Sequence, residues 1–150
     1  MTATPAEIEA YLYDHIPISK AFGVTVKQAD TEVVLAAPFA PNINHKSTVF
    51  GGSLQAVATL AAWSLVHIHA RAWAPRTEVV ITHSDIDYLR PVTGDFEARA
   101  ILPDLAQWQR FHKAFKRHGK ARVTIGVTIL DQDALAVDYS GTFALLSHPA

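Results

Sequence analysis

The sequence predicts an α+β fold: a curved antiparallel sheet wrapped around one long central helix, with an extra amphipathic helix before the last two strands. Three observations predict it. From Ser53 to about Ala72 the pattern is helical and apolar nearly all round, and a helix without a wide polar face is buried inside something. Six runs rich in Val, Ile and Thr carry the period-two pattern of strands, and a single sheet around a single helix accommodates them. The chain has 150 residues, 49% of them hydrophobic and 18% charged, which is one domain's length (residues 1–150) with material for a real core. One sheet covers only one side of such a helix, so a second copy of the chain is the expected cover for the rest.

The elements follow in order. Pro5 after Thr4 starts a helix to about Ile16, with Thr4 as N-cap and Ile8 and Leu12 inward; Pro17 stops it. Strands are expected at Phe22–Ala29 and Glu32–Pro38, joined by a turn at Asp30-Thr31. A polar loop spans residues 41–52. The buried helix comes next, with Leu54, Val57, Ala58, Ala61 and Leu65 as its main stripe and Gln55 and Thr59 together on one polar edge at i, i+4 spacing. Residues 77–89 and 95–102 read as strands. Residues 104–118 read as an exposed amphipathic helix capped by Gly119. The last two strands, Ala121–Leu130 and Leu135–Leu146, flank a turn at Asp131-Gln132-Asp133.

Composition excludes several functions. A net charge of −1 is not that of a nucleic-acid polycation, and the absence of cysteine removes disulfides, thiolate nucleophiles and zinc–thiolate or iron–sulfur sites. The N-terminal segment has acidic residues and no basic n-region, and the most apolar stretch, Leu54 to Val66, is too short for a bilayer. The expectation is a cytoplasmic protein with no membrane partner.

The loop before the central helix carries the first candidate chemistry. Gly51 and Gly52 let a backbone lie close to a ligand, and the first-turn N–H groups of the helix point outward with the positive end of its dipole behind them. The plainer alternative is a tight turn with Ser53 as N-cap. Asn44 and His45 sit in the same loop: Asn44 either meets a ligand or organises the loop through an Asx-turn, and His45 offers an imidazole, the side-chain type most often used to take up a proton. His83, Asp85 and Asp87 alternate along one strand and so share a face. They could ligate a metal, but a polar sheet face is the simpler reading, and no metal is expected.

Residues 44–52 (NHKSTVFGG) resemble the N-x-x-G-x-x-H-G-G segment of hotdog-fold acyl-CoA thioesterases. Residues 87–95 (DYLRPVTGD) resemble their Y-L-R-P-V-x-G-D strand and turn. Residues 117–122 (RHGKAR), with Ala136 and Gly141-Thr142-Phe143, resemble their last two strands. The likeness runs from about Phe22 to Leu146 and is strongest to the bacterial thioesterase domain of the YiiD C-terminal type, which has an extra helix before the R-x-G-K-x-R segment. It implies hydrolysis of an acyl-CoA or acyl-carrier thioester, with the carbonyl polarised by amides near Gly52 and coenzyme A present only as part of the substrate. It also implies a homodimer or dimer of dimers. A tunnel lined by Phe50, Leu54 and helix residues would accept the acyl chain, with Gly51, Ser53 and Gln55 also expected to bind substrate.

The sequence departs from that pattern at two places. Phe50 stands where the usual His precedes the glycines, and Thr59 falls where many relatives have a helix Asp or Glu. A threonine hydroxyl is not a base at pH 7, so His45 or Asp85 is left to take the proton, Asn44 to orient the reacting group and Thr59 to offer a hydrogen bond. A non-hydrolytic thioester-binding module and a hydratase or dehydratase are the alternatives. Between 104 and 122, Arg110, Lys113, Lys116, Arg117, Lys120 and Arg122 face only Asp104. Lys120 and Arg122 are candidates for coenzyme A phosphates; the other readings are a solvated face over packed aromatics and nucleic-acid binding, the last not expected.

Overall fold

The computed structural model describes residues 3–73 and 76–147. Helix α1 (Pro5–His15) opens with a capping box: Thr4 Oγ1 accepts from the Glu7 amide while the Glu7 carboxylate reaches back to the Thr4 N–H. Ile8 and Leu12 are its buried residues. Beyond Pro17 the chain makes one more helical turn, α2 (Ile18–Ala21), which the sequence reading missed. That turn delays the first strand. Phe22 caps it and Gly23 takes a left-handed φ of 75°, so β1 is Thr25–Ala29 and does not start at Phe22.

β2 (Glu32–Ala37) returns through a turn held by the Asp30 carboxylate, which accepts from Gln28 Nε2 and the Glu32 amide. A 3-10 turn at Ala40–Asn42 precedes the polar loop, and α3 runs Gly51–Arg71. Then come β3 (Thr77–Tyr88), β4 (Phe96–Ile101), α4 (Leu105–His118), β5 (Lys120–Asp131) and β6 (Ala134–Ser147). As expected, Gly119 is the left-handed cap of α4, its N–H on the Phe115 carbonyl. Gln132 and Asp133 both take positive φ in the β5–β6 turn, the backbone twist a two-residue hairpin needs.

The six strands form one antiparallel sheet in the order β1-β2-β4-β5-β6-β3. The sheet wraps α3, whose Val57, Ala58, Ala61, Ala62, Leu65 and Val66 are fully enclosed. Truncating a side chain such as Leu65 to Ala costs about 2–5 kcal/mol through lost transfer energy and the cavity left. The two sheet edges differ. Along β1, α1 closes the edge: the Tyr13 hydroxyl donates to the Val24 carbonyl and the Glu9 carboxylate accepts the Val26 N–H at 2.9 Å. The outer edge of β3 has no strand beside it among the described residues.

One stripe of α3 is left less covered. Gly52, Gln55, Ala56, Thr59 and Trp63 lie on it at i, i+3, i+4, i+7 and i+11, none of them in the buried set. No helix among the described residues is long and apolar enough to cross a membrane.

Candidate functional site

Helix α3 begins two residues earlier than expected, at Gly51, with Phe50 in the N-cap position and no side chain capping it. Ser53 is therefore not the cap; it is buried in the first turn. The Phe50 carbonyl accepts the amides of Ser53 and Leu54, at 2.9 and 3.2 Å. The amides of Gly51 and Gly52 have no acceptor within the described residues and stand at the positive end of a 21-residue helix. An anionic or polarised oxygen is the ligand such a tip favours.

The neighbourhood of this tip is ordered by side chains. The Tyr88 hydroxyl, at the end of β3, donates to the Gly51 carbonyl at 3.1 Å, and its ring lies within ordinary van der Waals contact, 3.4 Å, of where a side chain at Gly51 would begin. Phe50 lies 56% exposed with its ring against Gly52, so a Cβ there would meet it at 2.4 Å. Buried Asn42 ties the approach to the helix: its Nδ2 donates to the Phe22 and Pro38 carbonyls, and its own carbonyl accepts the Phe50 N–H. The sequence reading used neither Tyr88 nor Asn42. Tyr88 is visible as the polar end of the strand motif; Asn42 has a near partner in Pro38, but its bond to Phe22 spans 20 residues and no local pattern marks it.

Asn44 sits in the loop, where all four of its amide sites are engaged. Its Oδ1 accepts from the Lys46 and Thr48 amides; its Nδ2 donates to Thr48 Oγ1 and, at 3.4 Å, to the Val49 carbonyl. That is the Asx-turn alternative in full, and it helps hold Ser47 at a φ of 59°. His45 is exposed on the same turn. Gln55 is exposed on the open stripe of α3.

Asp85 is not brought to the tip of its own chain. Tyr88 reaches α3, so by alternation Ser84, Ile86 and Tyr88 face the helix side while His83, Asp85 and Asp87 face away. A bulge between Ile81 and His83 resets the phase, which is why the strand's pattern alone did not tell which face is which. His83 Nε2 and Asp85 Oδ2 pair at 3.0 Å on that exposed outer face. No group of residues suited to a metal ion occurs among the described residues.

Thr59 lies two turns along the open stripe from Gly52, about 10 Å by helical rise, too far for both to touch one carbonyl in a single chain. Its Oγ1 is 2.8 Å from the buried Tyr139 hydroxyl of β6. Lys120 and Arg122 are exposed at the start of β5, close to α4 and not to the glycines. The aromatics of α4 pack around Trp73, just beyond the other end of α3: Trp108, Phe111, His112 and Phe115 all meet its ring. The basic residues of α4 are the solvated face over that packing, about 30 Å along α3 from Gly51.

A curved antiparallel sheet around one central helix, with a glycine pair at an uncapped helix tip, defines a hotdog-fold protein of the thioesterase class. The sequence profile of the YiiD C-terminal putative thioesterase family matches residues 5–147, and the chain belongs to that family. It is similar to a Chlorobaculum tepidum protein of unknown function, at 30% identity over 98% of this chain and 99% of that one, with a TM-score of 0.89. A putative thioesterase from Shewanella oneidensis matches at 26% identity over 97% of each chain, with a TM-score of 0.80. A thioesterase from Haemophilus influenzae shares the fold at 14% identity, covering 98% of this chain and 93% of its own, with a TM-score of 0.77.

Proposed function

We propose that this protein hydrolyses an acyl-CoA or acyl-carrier thioester, and that two copies of the chain build each site. The observation that carries the reading is the pair of unengaged amides of Gly51 and Gly52 at the exposed tip of α3. A thioester carbonyl oxygen accepting from them gains negative charge as water attacks, and fixed donors stabilise that charge without reorganising. The tetrahedral intermediate then expels the thiol, which takes up a proton. The acyl group runs past Phe50 and the open stripe of α3.

The second copy follows from the spacing. Thr59 reaches a carbonyl held at Gly52 only from another chain, and exposed Phe50, Val80, Ile81, Tyr88 and Leu89 near the free edge of β3 are the apolar surface such a partner would cover. His45 is the proton acceptor in this reading, since it shares the loop that leads to the tip, whereas Asp85 looks the other way. Coenzyme A or the phosphopantetheine of a carrier enters as part of the substrate, and the cytoplasm is the compartment that supplies it.

Thiol release over a panel of acyl chain lengths, with sedimentation of the same preparation, tests this. Turnover by a dimer or larger assembly, lost in His45→Gln, is the expected result. Tight coenzyme A binding by a species that releases no thiol would replace the hydrolase with a binding module, the reading that the missing helix carboxylate favours.

A further inference from the structure

Tyr139 is a buried phenol that the chemistry above does not use. It is 1% exposed, and among the described residues the one hydrogen-bond partner of its hydroxyl is Thr59 Oγ1, at 2.8 Å. Desolvation pushes its pKa above the ordinary tyrosine value, with the Thr59 bond pulling the other way, so it stays protonated at any working pH. The donor in the pair can therefore be assigned. Were Thr59 to donate, the Tyr139 proton would be left buried without an acceptor, at the full desolvation cost of a hydroxyl. Were Tyr139 to donate, both hydroxyls are satisfied, and the phenol is also the stronger acid.

The rest of the strand is shaped for this contact. Gly141 shares a face with Tyr139, and a Cβ there would lie 2.7 Å from the Tyr139 hydroxyl and 2.9 Å from the Phe143 ring. Only glycine lets the phenol lie along β6 with its oxygen under α3. Thr59 makes no bond back to the Gln55 carbonyl one turn earlier, the usual acceptor for a helical threonine. With Tyr139 as donor, the Thr59 hydroxyl proton has no acceptor among the described residues, and the side chain lies on the less covered stripe of α3.

We propose that Tyr139 is a positioning residue: it donates to Thr59 Oγ1 and so makes Thr59 a hydrogen-bond donor to the thioester carbonyl oxygen held at the partner's Gly51-Gly52 tip. The position where relatives of the resembling class carry a carboxylate is here an electrophile and not a base. Donation from a hydroxyl that itself accepts a hydrogen bond is strengthened by polarisation along the chain. Gly141 supports the arrangement by leaving room for the phenol. The inference rests on the thioesterase reading and on two copies forming the site.

A double-mutant cycle on thiol release tests it. Tyr139→Phe and Thr59→Val are each expected to lower kcat about tenfold with KM held within twofold, and the double variant to be no slower than either single one. Thr59→Ser, which keeps a hydroxyl, recovers most of the loss. If Tyr139→Phe proves too unstable to assay, Gly141→Ala displaces the hydroxyl without deleting it and is expected to give the same fall in kcat. Additive losses, or full kcat in Tyr139→Phe or Gly141→Ala where Thr59→Val is slow, would overturn the proposal while leaving the hydrolase standing. Absence of thiol release from the unsubstituted dimer would overturn both.

Discussion

In its first turn α3 presents the Gly51 and Gly52 amides with no side-chain cap or ion pair among the described residues, and two exposed rings, Phe50 and Tyr88, stand beside them. At its last residues the same helix is closed by other groups. His69 Nε2 meets the Asp30 carbonyl at 2.6 Å, Arg71 stands over the Tyr11 ring, and Trp73 is boxed by four aromatic side chains, Trp108, Phe111, His112 and Phe115. Basic residues in the last turn suit the negative end of the dipole; nothing acidic offsets the positive end. One end spends its hydrogen-bonding capacity within the fold, and the other withholds it. A helix tip kept unsatisfied is available to a ligand, and the packing that keeps the helix in place is concentrated at the far end.

The sharpest way to break this contrast is to remove a donor. Gly52→Pro sits in the first helical turn, where proline is tolerated; it deletes one N–H and makes the exposed Phe50 ring swing aside. Thiol release is expected to fall about 100- to 1000-fold, the cost of losing one oxyanion donor, with the melting temperature moved by only a few degrees. At the other end the outcome reverses. Trp73→Ala empties an aromatic cluster and is expected to cost about 3–5 kcal/mol in urea unfolding, while the folded fraction retains its kcat.

Acid probes the helix one turn before its last residue. His67 stacks on Trp63 and lies against Tyr11, and burial, then Arg71, then His15 lower its pKa to about 4. Its folded value is below its unfolded one, so the stability it confers is complete above about pH 6.5. That stability is lost as the pH falls from there towards 4, up to about 3 kcal/mol. Unfolding free energy measured across that range is expected to drop, and to flatten in His67→Gln. The smallest effect belongs to Tyr88→Phe, which frees the Gly51 carbonyl: about 1 kcal/mol, seen as a five- to tenfold fall in kcat with near-native stability. Equal falls in stability and kcat would mean that Tyr88 holds the fold and not the tip.

The comparison also shows where sequence reasoning worked. Capping at Thr4, the stop at Pro17, the left-handed Gly119 and the α3 and strand patterns are local, since each depends on neighbours within a turn or on a single periodicity. Their elements fell within two or three residues of expectation, apart from the extra turn α2. The candidate site was legible only in outline. Gly51-Gly52 and Thr59 could be picked out, but Ser53 as the cap could not survive a helix that starts at Gly51.

By itself, then, the chain's pattern of apolar periods and turn residues determined the element order, the buried helix and the glycine pair, because those are written in contacts between near neighbours. Tertiary structure alone decided which face of β3 carries Asp85, since one bulge inverts the alternation. It alone placed Tyr88 under Gly51 and Tyr139 under Thr59. Those last two pairings join residues 37 and 80 positions apart, and their hydrogen bonds exist only once the sheet has closed around α3.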